Sequence, residues 1–167
     1  MVQLVHTIDA VRDAVADARR RGLKVGLVPT MGALHEGHGS LIEAARRECG
    51  YVVVSIFVNP LQFGPTEDYD KYPRSLQRDA AYCEEKGADL VFAPEVQEMY
   101  PSPSLTSVAV EKITDTLCGA SRPGHFRGVA TVVTKLFNIV LPDVAYFGQK
   151  DAQQAAVIKR MGSDLNF

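Results

Sequence analysis

The chain has 167 residues, 46% of them hydrophobic and 23% charged. That length suits one domain, able to bury roughly 70% of its unfolded surface. A formal net charge of −2 gives no support to nucleic acid or an anionic membrane as the main partner, and no apolar run is long enough to cross a bilayer.

The opening MVQLVHTIDAV lacks the uninterrupted apolar core of a secretory leader. Apolar residues at Ile8, Val11, Val15 and Ala18, with charges between them, predict a surface helix over 8–18 that Gly22 stops. Residues 23–28 (LKVGLV) read as a strand. A helix follows over about 36–49, with Leu34, His38, Leu41, Ile42 and Ala45 on one face. The run YVVVSIFV, 51–58, is apolar without alternation and suits a strand covered on both sides. Residues 59–74 have no periodicity, and structureless stretches of that length are usually functional or disordered.

A helix is predicted over 75–86, ended by Gly87, then a buried strand in ADLVFAP. LTSVAVE, 105–111, alternates weakly and is expected as an edge strand. Over 128–140, Val129, Val132, Val133, Leu136, Phe137 and Val140 form one stripe at helical spacing, which Pro142 stops. A short strand (VAYFG) and a helix (DAQQAAVIKRM) complete the order. Alternating helices and buried strands predict an α/β, Rossmann-like, doubly wound and mainly parallel sheet with helices on both faces. Cys49, Cys83 and Cys118 are odd in number and far apart. They read as reduced core thiols of a cytoplasmic protein, not as a disulfide frame or a zinc site.

The segment VPTMGALHEGHGSL, 28–41, carries the most chemistry. Residues 30–37 lie where a strand gives way to a helix, and doubly wound sheets bind ligands at such ends. A helix N-terminus offers free N–H groups to an anion. His35 and His38, three apart, share a face and can both be turned toward phosphate. Two blander readings stand beside this. His38 lies on the apolar stripe and suits a core histidine. The pair also suits half of a metal site, but only His6 and His125 remain and no acidic cluster sits at ligand spacing.

HEGH resembles the HxGH signature of the HIGH-motif nucleotidylyltransferase superfamily. With PTMGALHEGH, SIFVNPLQFG, YPRS, SRPGHFRGVATVVTKLFNIV and FGQKD in order, the chain resembles the pantothenate synthetase (pantoate–β-alanine ligase) family over nearly its whole length. The resemblance implies ATP-dependent joining of D-pantoate to β-alanine through a pantoyl adenylate, with release of pyrophosphate and then AMP. It implies an ATP site of Pro29, Thr30, Met31, Gly32, His35, Gly37, His38, Gly148, Lys150 and Asp151, with His35, His38 and Lys150 acting on the phosphates. His38 matches the residue usually assigned as proton donor; phosphate stabilisation is the role chemistry favours, since pyrophosphate can leave without a general acid. Gln62 and Gln154 match the pantoate-holding glutamines. Val129, Val132 and Val133 match the wall beside its gem-dimethyl group, and Asn59 and Tyr72 match residues near the site. Arg122, His125 and Arg127 read instead as a solvated basic loop. ATP implies Mg²⁺, for which no protein ligand is named.

The chain departs from the family in Gln149, where glutamate is common, and in ending at Phe167, where the family continues into further strands and a C-terminal lid with a phosphate clamp. The expectation is a single nucleotide- and pantoate-binding N-terminal domain over 1–167, impaired in turnover alone, cytoplasmic and homodimeric. Two alternatives are another HIGH-motif adenylyltransferase, and a non-catalytic nucleotide-binding or dimerisation fragment. The main reading requires His35, His38, Lys150, Gln62 and Gln154 to converge on one cavity.

Overall fold

The computed structural model describes all residues, 1–167. Its elements run β1 (Gln3–Val5), α1 (Ile8–Arg20), β2 (Val25–Thr30), α2 (Glu36–Glu48), β3 (Tyr51–Ile56), a 3₁₀ turn (Pro60–Gln62), α3 (Leu76–Glu85), β4 (Leu90–Phe92), α4 (Val96–Met99), α5 (Cys118–Ser121), α6 (His125–Val140), β5 (Val144–Ala145) and α7 (Ala152–Asp164). All strand pairs are parallel, in the order β1-β4-β3-β2-β5. No helix is long and apolar enough to cross a membrane.

The unbroken apolar runs are explained by burial on both faces. Leu27, Tyr51, Val53, Leu90 and Phe92 join α1, α6 and α7 in one core. Val28, Val52, Val54 and Val91 join Ile42, Ala45 and Cys83 of α2 and α3 in a second core on the opposite face. Successive strand residues point to opposite faces, so each strand feeds both layers. Each fully buried valine or leucine contributes about 1.5–3 kcal/mol of transfer free energy.

From β2 the chain steps outward to β3 and β4, then returns with β5 to the other side of β2. The strand order therefore reverses between β2 and β5. The carboxyl ends of these two strands form the crevice where such sheets receive ligands.

The structure corrects two expectations and adds one strand. Residues 105–111 form no strand; Val108 donates its N–H to Thr131 Oγ1 of α6 at 2.9 Å, and Val108 and Val110 pack on the first core as irregular chain. The first β-strand, Gln3–Val5, had no sequence signal; three residues are too few to show a period. Cys49 and Cys83 are buried as expected, but Cys118 is exposed.

Candidate active site

The β2–α2 turn is built before the helix starts. Gly32 and Ala33 both adopt positive φ, +84° and +51°, which reverses the chain at the strand end. A Cβ on Gly32 would lie 3.1 Å from Asp79 Oδ2 and 3.2 Å from Ile56 Cγ2, so the turn leaves little room for a side chain. Asp79 reaches across from α3. Its two carboxylate oxygens accept the N–H groups of Ala33 (2.9 Å) and Leu34 (3.0 Å), and it is only 3% exposed. A buried carboxylate needs such donors. Here they also lock the turn.

His35 caps α2. Its Nδ1 accepts the Gly37 N–H at 3.1 Å, while the His35 N–H donates to His38 Nδ1 at 3.3 Å. Each ring thus gives one nitrogen to the backbone, and each carries its proton on Nε2. The ring centroids are 4.2 Å apart. Burial first, then the nearby His35, lowers the His38 pKa below the ordinary histidine value, with Asp79 opposing. The Glu36 N–H keeps no protein acceptor, which leaves a helix N-terminus able to receive an anion.

The aperiodic segment after β3 is ordered by its side chains. Asn59 is 1% exposed. Its amide donates to Gln62 Oε1 and to the Gly128 carbonyl, both at 3.1 Å, while its oxygen accepts from the Tyr100 hydroxyl at 2.8 Å. With Oε1 taken by Asn59, Gln62 is left with its NH₂ group as donor. Further along, Phe63 stacks edge-on against Tyr69 and Tyr72. Arg74 donates to the carbonyls of Tyr69, Asp70 and Tyr72 and lies over the Tyr69 ring. Burial, then Asp79, raises the Tyr72 pKa, so its phenol stays neutral.

These elements enclose a cavity of about 200 Å³ at the β2–β5 crevice. Pro29, Thr30 and Met31 line it from β2 and its turn, His38 from α2, Gln62 and Tyr72 from the loop, Val129, Val132 and Val133 from α6, and Gln154 from α7. The valines belong to the first core as well, so one helix face both packs and lines. A wider groove of about 530 Å³ lies between residues 141–147 and α7, but it holds no histidine or glutamine.

The remaining expected residues lie elsewhere. Asn59 does not line the cavity; it orients Gln62 from behind. His35 is exposed and stands against His38 without lining the cavity. Gly32 is buried in the turn and Gly37 is exposed in the first turn of α2. Gly148 and Lys150 are exposed, and Asp151 caps α7 by accepting the Gln154 N–H at 2.9 Å. The expected convergence of five groups is thus a convergence of three, because His35 is held as a helix cap and Lys150 lies out on the surface. The basic-loop reading of Arg122 and His125 is also corrected: His125 is buried, and Arg122 pairs with Glu67 at 2.5 Å. Sequence reasoning missed Asp79 and Tyr100, whose roles come from contacts across the fold and leave no local pattern, and Arg74, whose contacts are local but follow no recognisable turn or helix spacing.

A doubly wound parallel sheet with a small polar and apolar cavity at its switch point, beside a histidine-bearing helix N-terminus, defines a Rossmann-like α/β protein with its crevice at the carboxyl ends of the strands. The family model described as pantoate-beta-alanine ligase matches residues 3–167. The chain belongs to that family. It is 65% identical over 166 residues to a pantothenate synthetase of Moorella thermoacetica, covering 99% of this chain and 59% of that protein. The crystal structure of pantothenate synthetase from Thermus thermophilus matches 99% of this chain and 59% of its own, with 54% identity and a TM-score of 0.94. A pantoate-beta-alanine ligase from Francisella tularensis, crystallised with β,γ-ATP and β-alanine, matches with 40% identity and a TM-score of 0.94, over 99% of this chain and 64% of its own. The chain spans about three fifths of the length of these relatives.

Proposed function

We propose that this cavity binds D-pantoate beside ATP and supports its activation for condensation with β-alanine. The observation that carries the reading is the meeting of His38, Gln62, Gln154 and three valines around one small space. The valines suit the gem-dimethyl carbon. The Gln62 NH₂ and the Gln154 amide suit the hydroxyls and carboxylate. The pantoate carboxylate would then face the start of α2, where the Glu36 N–H and the His38 Nε2–H meet the nucleotide phosphates.

In the first step a carboxylate oxygen attacks the α-phosphorus and pyrophosphate departs. In the second, the β-alanine amine attacks the acyl carbon and AMP leaves with the acyl oxygen. The chain's part is alignment and charge stabilisation. His38, held neutral by burial, donates to phosphate oxygens, and His35 is positioned to do the same from the rim. Lys150, Gly148 and Asp151 are proposed for the outer phosphates. No group of three or more His, Cys, Asp or Glu is arranged to hold a metal. The residues therefore suit Mg²⁺ carried in on the phosphates, which it binds with its own waters. A cytoplasmic homodimer belongs to the same proposal, on the family's account.

The test is D-pantoate titration into the 167-residue chain, followed by the side-chain amide signals of Gln62 and Gln154, together with pantoate-dependent exchange of labelled pyrophosphate into ATP. Both amides should shift, and Gln62→Ala should weaken binding roughly 10–100-fold. Pantoate binding that moves neither amide would overturn the reading.

A further inference from the structure

Gln62 is held at three points. Asn59 fixes its side-chain oxygen. Its backbone is pressed against α6, where any Cβ on Gly128 would overlap the Leu61 carbonyl and the Gln62 nitrogen. The third point is His125, on the first turn of α6, whose Nδ1 lies 2.9 Å from the Gln62 carbonyl oxygen.

The chemistry of the partners dictates this imidazole's state. A carbonyl only accepts, so Nδ1 carries the proton and donates. On the other side, Nε2 lies 3.2 Å from Arg122 Nη1, and a guanidinium only donates, so Nε2 accepts. Arg122 Nη2 in turn meets Glu67 Oε1 at 2.5 Å, and Glu67 Oε2 accepts the Gly64 N–H at 2.6 Å. The Gly64 bond first, and Arg122 with it, hold the Glu67 carboxyl below the ordinary range. His125 is 6% exposed, and its ring packs edge-on against Phe126 with centroids 5.0 Å apart.

We infer that His125 is a positioning residue for substrate. A chain of bonds from Glu67 through Arg122 and His125 to the Gln62 carbonyl ties the loop over the cavity to α6 and sets the place of the Gln62 amide. The inference rests on the reading of the cavity as the pantoate site. It gives the SRPGHFRG segment a task beyond that of a solvated basic loop: Arg122 and His125 face inward, onto the loop, while Arg127 is exposed. It also accounts for histidine at this point. A rigid ring with one donor and one acceptor joins a carbonyl to a guanidinium without the extra rotatable bonds of glutamine.

The experiment compares His125→Leu with His125→Asn, alone and in a Gln62→Ala background. Asparagine returns an N–H donor near the place of Nδ1, and leucine returns none. D-pantoate affinity should fall roughly 3–10-fold in His125→Leu, the scale of one lost hydrogen bond, and recover in His125→Asn, while ATP affinity stays unchanged. In the Gln62→Ala background, His125→Leu should cost nothing further, because its effect runs through that amide. Equal losses in both backgrounds, or an unchanged affinity in His125→Leu, would reject the inference.

A ligand-free measurement separates it from the cavity reading. In His125→Leu the Gln62 side-chain amide signals should shift or broaden while those of Gln154 hold. If D-pantoate fails to bind the unsubstituted chain, the cavity reading falls, and these signals decide the bond chain: a moved Gln62 supports it, an unmoved Gln62 refutes it.

Discussion

At the scale of one residue, His38 shows how a backbone bond defines what an imidazole offers. Its Nδ1 accepts from His35 N–H, so only Nε2 is left for a ligand. Burial and then His35 lower its pKa in the fold, against the pull of Asp79. The unfolded chain therefore takes up this proton more readily than the folded one. The stability linked to it is present above the ordinary value of ~6.5 and is lost as pH falls through the lowered folded value. The urea midpoint of the chain should drop between about pH 7.5 and 5.5, and that of His38→Asn should drop less. Equal drops would remove His38 from this account.

At the scale of elements, the site depends on how closely α6 approaches the Pro60–Gln62 turn. The glycine at 128 permits that approach. Gly128→Ala should force the turn away, costing about 1–3 kcal/mol of stability, as overpacking does, and weakening D-pantoate binding. Gly162, in α7 with nothing within 4 Å of an added Cβ, is the matched control; Gly162→Ala should be neutral or stabilise by up to about 1 kcal/mol. Thermal unfolding of both variants checks the pair, and a neutral Gly128→Ala would show that the turn can yield.

The longer elements were legible because their patterns are periodic and long. The stripe from Val129 to Val140 predicts α6, and the run from Tyr51 predicts β3. The false strand at 105–111 shows the limit: alternating small and apolar residues suit a strand, yet these ones lean on α6 and α7 with no sheet edge to pair. The candidate site was partly legible. Its glutamines and valines were reached through family motifs, because neither residue type carries a local signal of binding.

At the scale of the whole molecule, the two-sided core separates thiols that look alike in sequence. Burial, then Asp79, pushes the Cys83 thiol up to about 12, and Cys49 is also enclosed. Iodoacetamide at about pH 8 should label Cys118 alone in the folded chain, with Cys49 and Cys83 reacting only on unfolding; mass spectrometry reads the outcome. Rapid labelling of Cys83 would mean that the α2–α3 layer opens readily.

By itself the sequence determined the layered α/β class, because apolar spacing over ten or more residues registers which faces are buried. It also located the start of α2, because the glycines between a strand run and a helical stripe act within a few residues of chain. Only the tertiary structure decided which groups share the cavity. His38, Gln62 and Gln154 lie on three separate elements, and Asp79, Asn59 and His125 position their neighbours through bonds to residues that are distant in the chain or concealed in a turn. Such bonds depend on distances in space, which composition and periodicity do not encode. A lysine at 150 and a histidine at 35 therefore looked equal partners in sequence, and the fold placed one on the surface and tied the other to the backbone of its own helix, outside the cavity.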